Sequence, residues 1–170
     1  MRALRSIAAA VCLTLIASTS LGKAEALPRS FVLKGLDGTD LRRDNLIGKV
    51  VLVQFWASWC VGCDRTMRMM QLWKQKHRLD VNYVTVSVDD SIADADRFFS
   101  DKSPSFQAFK KFSYFDMDAH LATELGVSAV PSTLLISADG KILYRITGHP
   151  SVKDLDVLTT LASQAALATN

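Results

Sequence analysis

The stretch KVVLVQFWA at residues 49–57 does most to restrict the fold. It is bounded by Gly48, contains one uncharged polar side chain, Gln54, and is otherwise β-branched, aliphatic or aromatic after its first lysine. A surface strand would alternate polar and apolar residues, whereas a continuous apolar run of this length predicts a central strand covered on both faces. Such strands belong to layered α/β sheets. Three residues after the run, SWCVGC sets Cys60 and Cys63 two residues apart.

The flanking segments are consistent with that layering. FVLKGLDGTDL predicts a short strand at 31–34 and a turn at Asp37-Gly38, a hairpin at the entrance to the domain. Beyond Gly62 there is no Gly or Pro up to His77, and Met67, Met70, Trp73 and Lys74 recur at helical spacing, so the helix is expected to open at Cys60. VNYVTVSV at 81–88 predicts a second strand, parallel to the first. A helix is expected over 94–102, ended by Pro104. Phe106, Phe109, Phe112 and Phe115 repeat every three residues, which reads as helical turns presenting an aromatic face to the core. A short helix closed by Gly126, a hairpin turning at Asp139-Gly140 and a final helix over 151–168 complete the order β-β-α-β-α-(α)-β-β-α. This is a central mixed β-sheet flanked by helices, with an N-terminal β-hairpin extension. A right-handed crossover puts the Cys60 helix at the carboxyl end of a central strand, where open sheets place their sites.

The N-terminus bears on where the cysteines work. Arg2 and Arg5 precede an uncharged run at 7–21, and Ala24-Glu25-Ala26 offers small residues at the positions a signal peptidase reads. The expectation is a secretory signal at 1–26 and one domain at 27–170, with an uncleaved anchor as the alternative. Loss of Arg2, Arg5, Lys23 and Glu25 lowers the formal charge of +3 by two, and the near-neutral remainder, with no basic stripe, argues against nucleic acid as a partner. Cys12 leaves with the leader, so the remaining thiols are Cys60 and Cys63.

Three chemistries are open to this pair. A disulfide that closes so small a loop adds little stability, which argues against a staple. A structural zinc needs four grouped ligands, and His77, His120 and His149 are scattered and expected at the surface. Copper(I) accepts two thiolates with thioether help, and Met67, Met69 and Met70 follow the pair, although helical methionines are commonly core. Electron transfer fits best. Cys60 at a helix start is favoured as thiolate, its pKa drawn below that of a free cysteine, and Cys63, one turn in and more buried, closes the bridge.

VVLVQFWASWCVGC, followed by GVSAVPSTLLISADGKILYRITG, resembles the thioredoxin superfamily, and FVLKGLDGTDLRRDNLIGKVVLVQFWASWC narrows the likeness to the TlpA/ResA-like (redoxin-type) extracytoplasmic thiol–disulfide oxidoreductases. The likeness spans about residues 31–148. It implies a thioredoxin-like fold, with Cys60 as nucleophile, Cys63 as resolving thiol, Trp59 as an exposed aromatic beside them, and a cis Val130–Pro131 bond facing the cysteines. It further implies a periplasmic, monomeric protein without a cofactor. Electrons would come from a membrane thiol–disulfide donor and pass to protein disulfides such as those of apocytochrome c or metallochaperones.

Three departures from the pattern concern protons and potential. Gln54 stands where many thioredoxins carry a buried carboxylate, and Thr66 stands where TlpA/ResA-like proteins often have Glu. Asp64 is nearby but expected to be exposed, so no proton acceptor is identified. The dipeptide Val61-Gly62 does not end in Pro, and Arg68 occupies a position that is often Pro. A reductase is the expected activity, with a disulfide oxidase or isomerase, or a copper(I)-binding module, as alternatives. A thiol peroxidase fits less well, since Ala57 stands where peroxiredoxins need Thr.

Overall fold

The computed structural model describes residues 25–168, so most of the expected leader lies outside the described residues. Seven strands form one sheet in the order β2-β1-β5-β4-β3-β6-β7. They are β1 (Val32–Gly35), β2 (Asp40–Arg42), β3 (Val51–Trp56), β4 (Asn82–Ser87), β5 (Ser113–Phe115), β6 (Ser132–Ile136) and β7 (Ile142–Thr147). Among the described residues the five α-helices are α1 (Cys63–His77), α2 (Ile92–Ser100), α3 (Pro104–Gln107), α4 (His120–Glu124) and α5 (Val152–Leu167). The sheet is mixed: β3 pairs in parallel with β4, β4 with β5, and the other pairs are antiparallel. This is the thioredoxin-like α/β architecture expected from the sequence, with β1 and β2 as the N-terminal hairpin.

Every residue of β3 is buried, and its period-two alternation divides the core in two. Leu52 and Trp56 face a cluster built with Met67, Met70 and Trp73 of α1, Phe99 of α2 and Leu158 of α5. Val51, Val53 and Phe55 face the other cluster, with Leu121, Ala122 and Leu125 around α4. Burying this much aliphatic and aromatic surface stabilises the fold at about 25 cal/mol per Å². Across the first layer, Trp73 Nε1 donates to Thr159 Oγ1 at 2.9 Å and ties α1 to α5. Met67 and Met70 are fully buried there.

Two expectations are revised. Residues 113–115 form β5, although the phenylalanine spacing predicts helix through Phe115. The turn runs only through a 3-10 segment, Ala108–Phe112, before the chain straightens to pair with β1 and β4. Its aromatic face does join the core: Phe106 lies 4.9 Å from Phe109, and Phe109 5.2 Å from Phe112. The second revision is the start of α1, which is Cys63 and not Cys60. Gly62 precedes it with φ 85°, ψ 2°, a left-handed geometry that interrupts the helix.

Candidate active site

The site grows from the carboxyl end of β3. After Trp56 the chain turns through Ala57, Ser58 and Trp59, with Cys60 N donating to Ala57 O at 3.1 Å. Asp89, just past the end of the neighbouring β4, holds this turn. Its buried carboxylate accepts from Ser58 N at 2.9 Å, Ser58 Oγ at 2.7 Å and Ser87 Oγ at 2.7 Å. Parallel pairing of β3 with β4 is what brings Ser58 and Asp89 together.

Cys60 and Cys63 are joined in a disulfide, with their Cα atoms 5.6 Å apart. Cys60 is 9% exposed and Cys63 is fully buried, so the expected asymmetry is present although both sit deeper than a surface pair. The first turn of α1 has no side-chain cap from Gly62, and Cys63 N donates to Cys60 O at 3.3 Å. Below the pair, Gln54 Nε2 reaches Cys63 O at 3.4 Å and Gln54 Oε1 accepts from the Tyr83 hydroxyl. Burial pushes the Tyr83 phenol well above its ordinary pKa, so it stays protonated as that donor. Asp64 is half-buried, its carboxylate 3.8 Å from Lys102 Nζ.

Val130 and Pro131 lie on the loop before β6. The Val130–Pro131 peptide is cis, Pro131 is buried and Val130 is partly so. Trp59, 66% exposed, and Val130 line one groove of about 130 Å³, with Val88, Ala119, Val127 and Ala129 as further walls. On the cysteine loop, Val61 is 94% exposed. Gly148 N donates to Pro131 O at 2.8 Å and binds the loop after β7 to the cis-proline loop.

Sequence reasoning missed two members of this region. Asp89 carries the visible signal of an acid at a strand's carboxyl end, but nothing local names Ser58 as its partner. His149 is a surface residue, as expected, yet its ring reaches the cysteine loop. Its Nδ1 lies 2.7 Å from Oγ1 of the fully buried Thr66. The other edge of the ring covers Gly62, where an added Cβ would stand 2.7 Å from its Cε1. No local signal in the sequence links them. Among the described residues, no group of three or more His, Cys, Asp or Glu side chains is arranged to hold a metal.

The thioredoxin-like domain family model matches residues 40–160. The thiol-disulfide oxidoreductase ResA of Geobacillus thermodenitrificans is 29% identical over 126 residues, covering 74% of this chain and 70% of its own. A solved Chlorobium tepidum protein, provisionally named thiol:disulfide interchange protein DsbE, superposes with a TM-score of 0.64 at 29% identity, covering 88% of this chain and 99% of its own. A Bacteroides thetaiotaomicron structure provisionally named a protein disulfide isomerase has a TM-score of 0.69 at 22% identity, covering 84% of this chain and 89% of its own, a likeness of fold.

Proposed function

The chain belongs to the thioredoxin-like family, and from that premise we propose that it is an extracytoplasmic thiol–disulfide oxidoreductase working through Cys60 and Cys63. The observation that carries this reading is the bonded cysteine pair itself, unequal in burial and set at the carboxyl end of a central strand. Relatives bearing thiol–disulfide oxidoreductase and interchange names support it.

The reaction is two successive thiol–disulfide exchanges. In the reduced protein Cys60 lies just before the N-terminus of α1, whose dipole favours its thiolate. It attacks one sulfur of a target disulfide. That bond breaks, its electron pair leaves on the target's other sulfur, and a mixed disulfide forms. Cys63 then loses its proton and attacks Cys60 Sγ, releasing the second target sulfur as thiolate. Two electrons have passed to the target, which takes one proton from the Cys63 thiol and the other from solvent. Trp59 and the Val130–Pro131 backbone would hold the target chain in the groove between them, as an extended segment.

On this reading the leader at 1–26 is removed and residues 27–170 form the working domain, a monomer; amino-terminal sequencing of the exported chain tests the cut. Among the described residues, no helix is long and apolar enough to cross a membrane. The protein acts as a reductase on protein disulfides, supplied by a membrane thiol–disulfide donor, with apocytochrome c or metallochaperone thiols as the target class. Cys63→Ser should accumulate targets as mixed disulfides, and Cys60→Ala should lose reduction of insulin. Full insulin reductase activity in Cys60→Ala overturns the assignment. Direction is read from equilibration with glutathione: about −270 mV supports a reductase and about −120 mV an oxidase.

A further inference from the structure

Resting on that thiol–disulfide reading, we propose that His149, acting through the Thr66 hydroxyl, takes up the proton of the buried Cys63 thiol when Cys63 resolves the mixed disulfide. It returns that proton when the bridge is reduced.

Cys63 is fully buried. A thiol in an apolar setting ionises reluctantly, so its attack needs an acceptor close by. The neighbouring groups are already engaged or cannot titrate. Gln54, against the Cys63 carbonyl, is an amide. Tyr83 behind it is a phenol held protonated by burial. Asp89 is filled by Ser58 and Ser87, and Asp64 faces Lys102. Arg65 on the same turn is a cation with no acceptor atom. Asp154, at the start of α5, takes Ser151 and Tyr144.

His149 is differently placed. Thr66 follows Cys63 by three positions on α1, so the two side chains share a helix face. Thr66 is fully buried and its hydroxyl meets His149 Nδ1 at 2.7 Å, while the rest of the imidazole is open to solvent. The pair therefore joins the interior beside Cys63 to water. The ring is held from both sides in sequence: Gly148 is bonded to Pro131 O, and Ser151 caps α5. Gly62 leaves room for the ring on the cysteine loop. Imidazoles are the side chains suited to exchanging protons near neutral pH.

With Nδ1 as acceptor, the transfer balances. The Cys63 S–H bond breaks, its proton passes to Thr66 Oγ1, and the hydroxyl proton of Thr66 passes to Nδ1, giving an imidazolium. The freed pair on Cys63 Sγ forms the bond to Cys60 Sγ. The bond from Cys60 to the target breaks, and its electron pair leaves on the target sulfur. The imidazolium then yields its proton to that thiolate or to water. His149 acts from behind Thr66, so it is a positioning and proton-exchange residue and does not touch the sulfurs.

The test is stopped-flow reaction of the reduced protein with 5,5′-dithiobis(2-nitrobenzoate). The first release of nitrothiobenzoate reports Cys60 attack, and the second reports resolution by Cys63. Each phase is followed from pH 5 to 9 in wild type, His149→Gln, Thr66→Val and Thr66→Ser. The expected result is that His149→Gln and Thr66→Val keep the first phase but slow the second by about a hundredfold at neutral pH. Both also lose the neutral-range inflection in its pH profile. Thr66→Ser, which retains the hydroxyl, recovers the wild-type profile. A second phase in His149→Gln that superimposes on wild type overturns the inference, as does a normal second phase in Thr66→Val. Absence of the first phase in wild type would instead remove the underlying thiol reading. If His149→Gln does not fold, the Thr66 pair decides alone.

Discussion

Replacing Gly62 by Ala tests how the cysteine loop and His149 are fitted together. Gly62 sits at φ 85°, and placing an L side chain in that left-handed region costs about 1–2 kcal/mol. The new methyl would also lie 2.7 Å from His149 Cε1 and 3.0 Å from its Nε2. Because the ring is solvent-facing, it can swing out, but it then gives up the 2.7 Å hydrogen bond to Thr66, worth about 1 kcal/mol. The expected cost of Gly62→Ala is thus about 2–3 kcal/mol. For a domain of this size that lowers Tm by on the order of 8 °C. The check is urea unfolding of the oxidised protein in a double-mutant cycle with His149→Ala. With the ring gone, only the backbone part should remain, giving a coupling of about 1 kcal/mol. A cost below about 0.5 kcal/mol for Gly62→Ala, or additivity with His149→Ala within that margin, refutes the reasoning.

Two further outcomes follow from the same contacts. Asp89→Ala should cost about 2–4 kcal/mol in urea unfolding, because it strands the Ser58 N–H and hydroxyl beside a lost charged acceptor; Asp89→Asn, which keeps one carbonyl oxygen, should cost less. For Asp154, hydrogen bonds from the Ser151 side chain and backbone and from Tyr144 hold the carboxyl below its ordinary pKa. The unfolded chain therefore binds more protons at acid pH, and this contribution is present above about pH 4 and lost as pH falls through the lowered folded value. Asp154→Asn should flatten the acid limb of stability against pH, and an unchanged limb would count against that bond set.

The parts of the molecule that could be read in advance are those whose information is local. The apolar run at 51–56, the helix carrying Met67, Met70 and Trp73, and the turns at Gly38 and Gly140 each declare themselves within a few residues. Strand β5 does not. Ser113–Phe115 is three residues long and exists because Lys34 and Gly35 pair with Phe115 and Tyr114, a partner far away in sequence. The phenylalanine spacing across 106–115 pointed to helix because three of those rings do pack from helical turns. Cys60, Cys63, Trp59, Val130 and Pro131 are candidates because each sits in a short motif. The Thr66–His149 contact spans 83 positions and is made by folding alone, so no local pattern announces it.

The bond from Gly148 N to Pro131 O uses only main-chain atoms. The side chain at 149 can therefore change without cutting the tie between its loop and the cis-proline loop. The wall that would grip a target and the neighbour that would trade protons are thus anchored together yet separately replaceable. A chain built this way can drift in acidity and preferred pH while keeping the shape it offers to its targets.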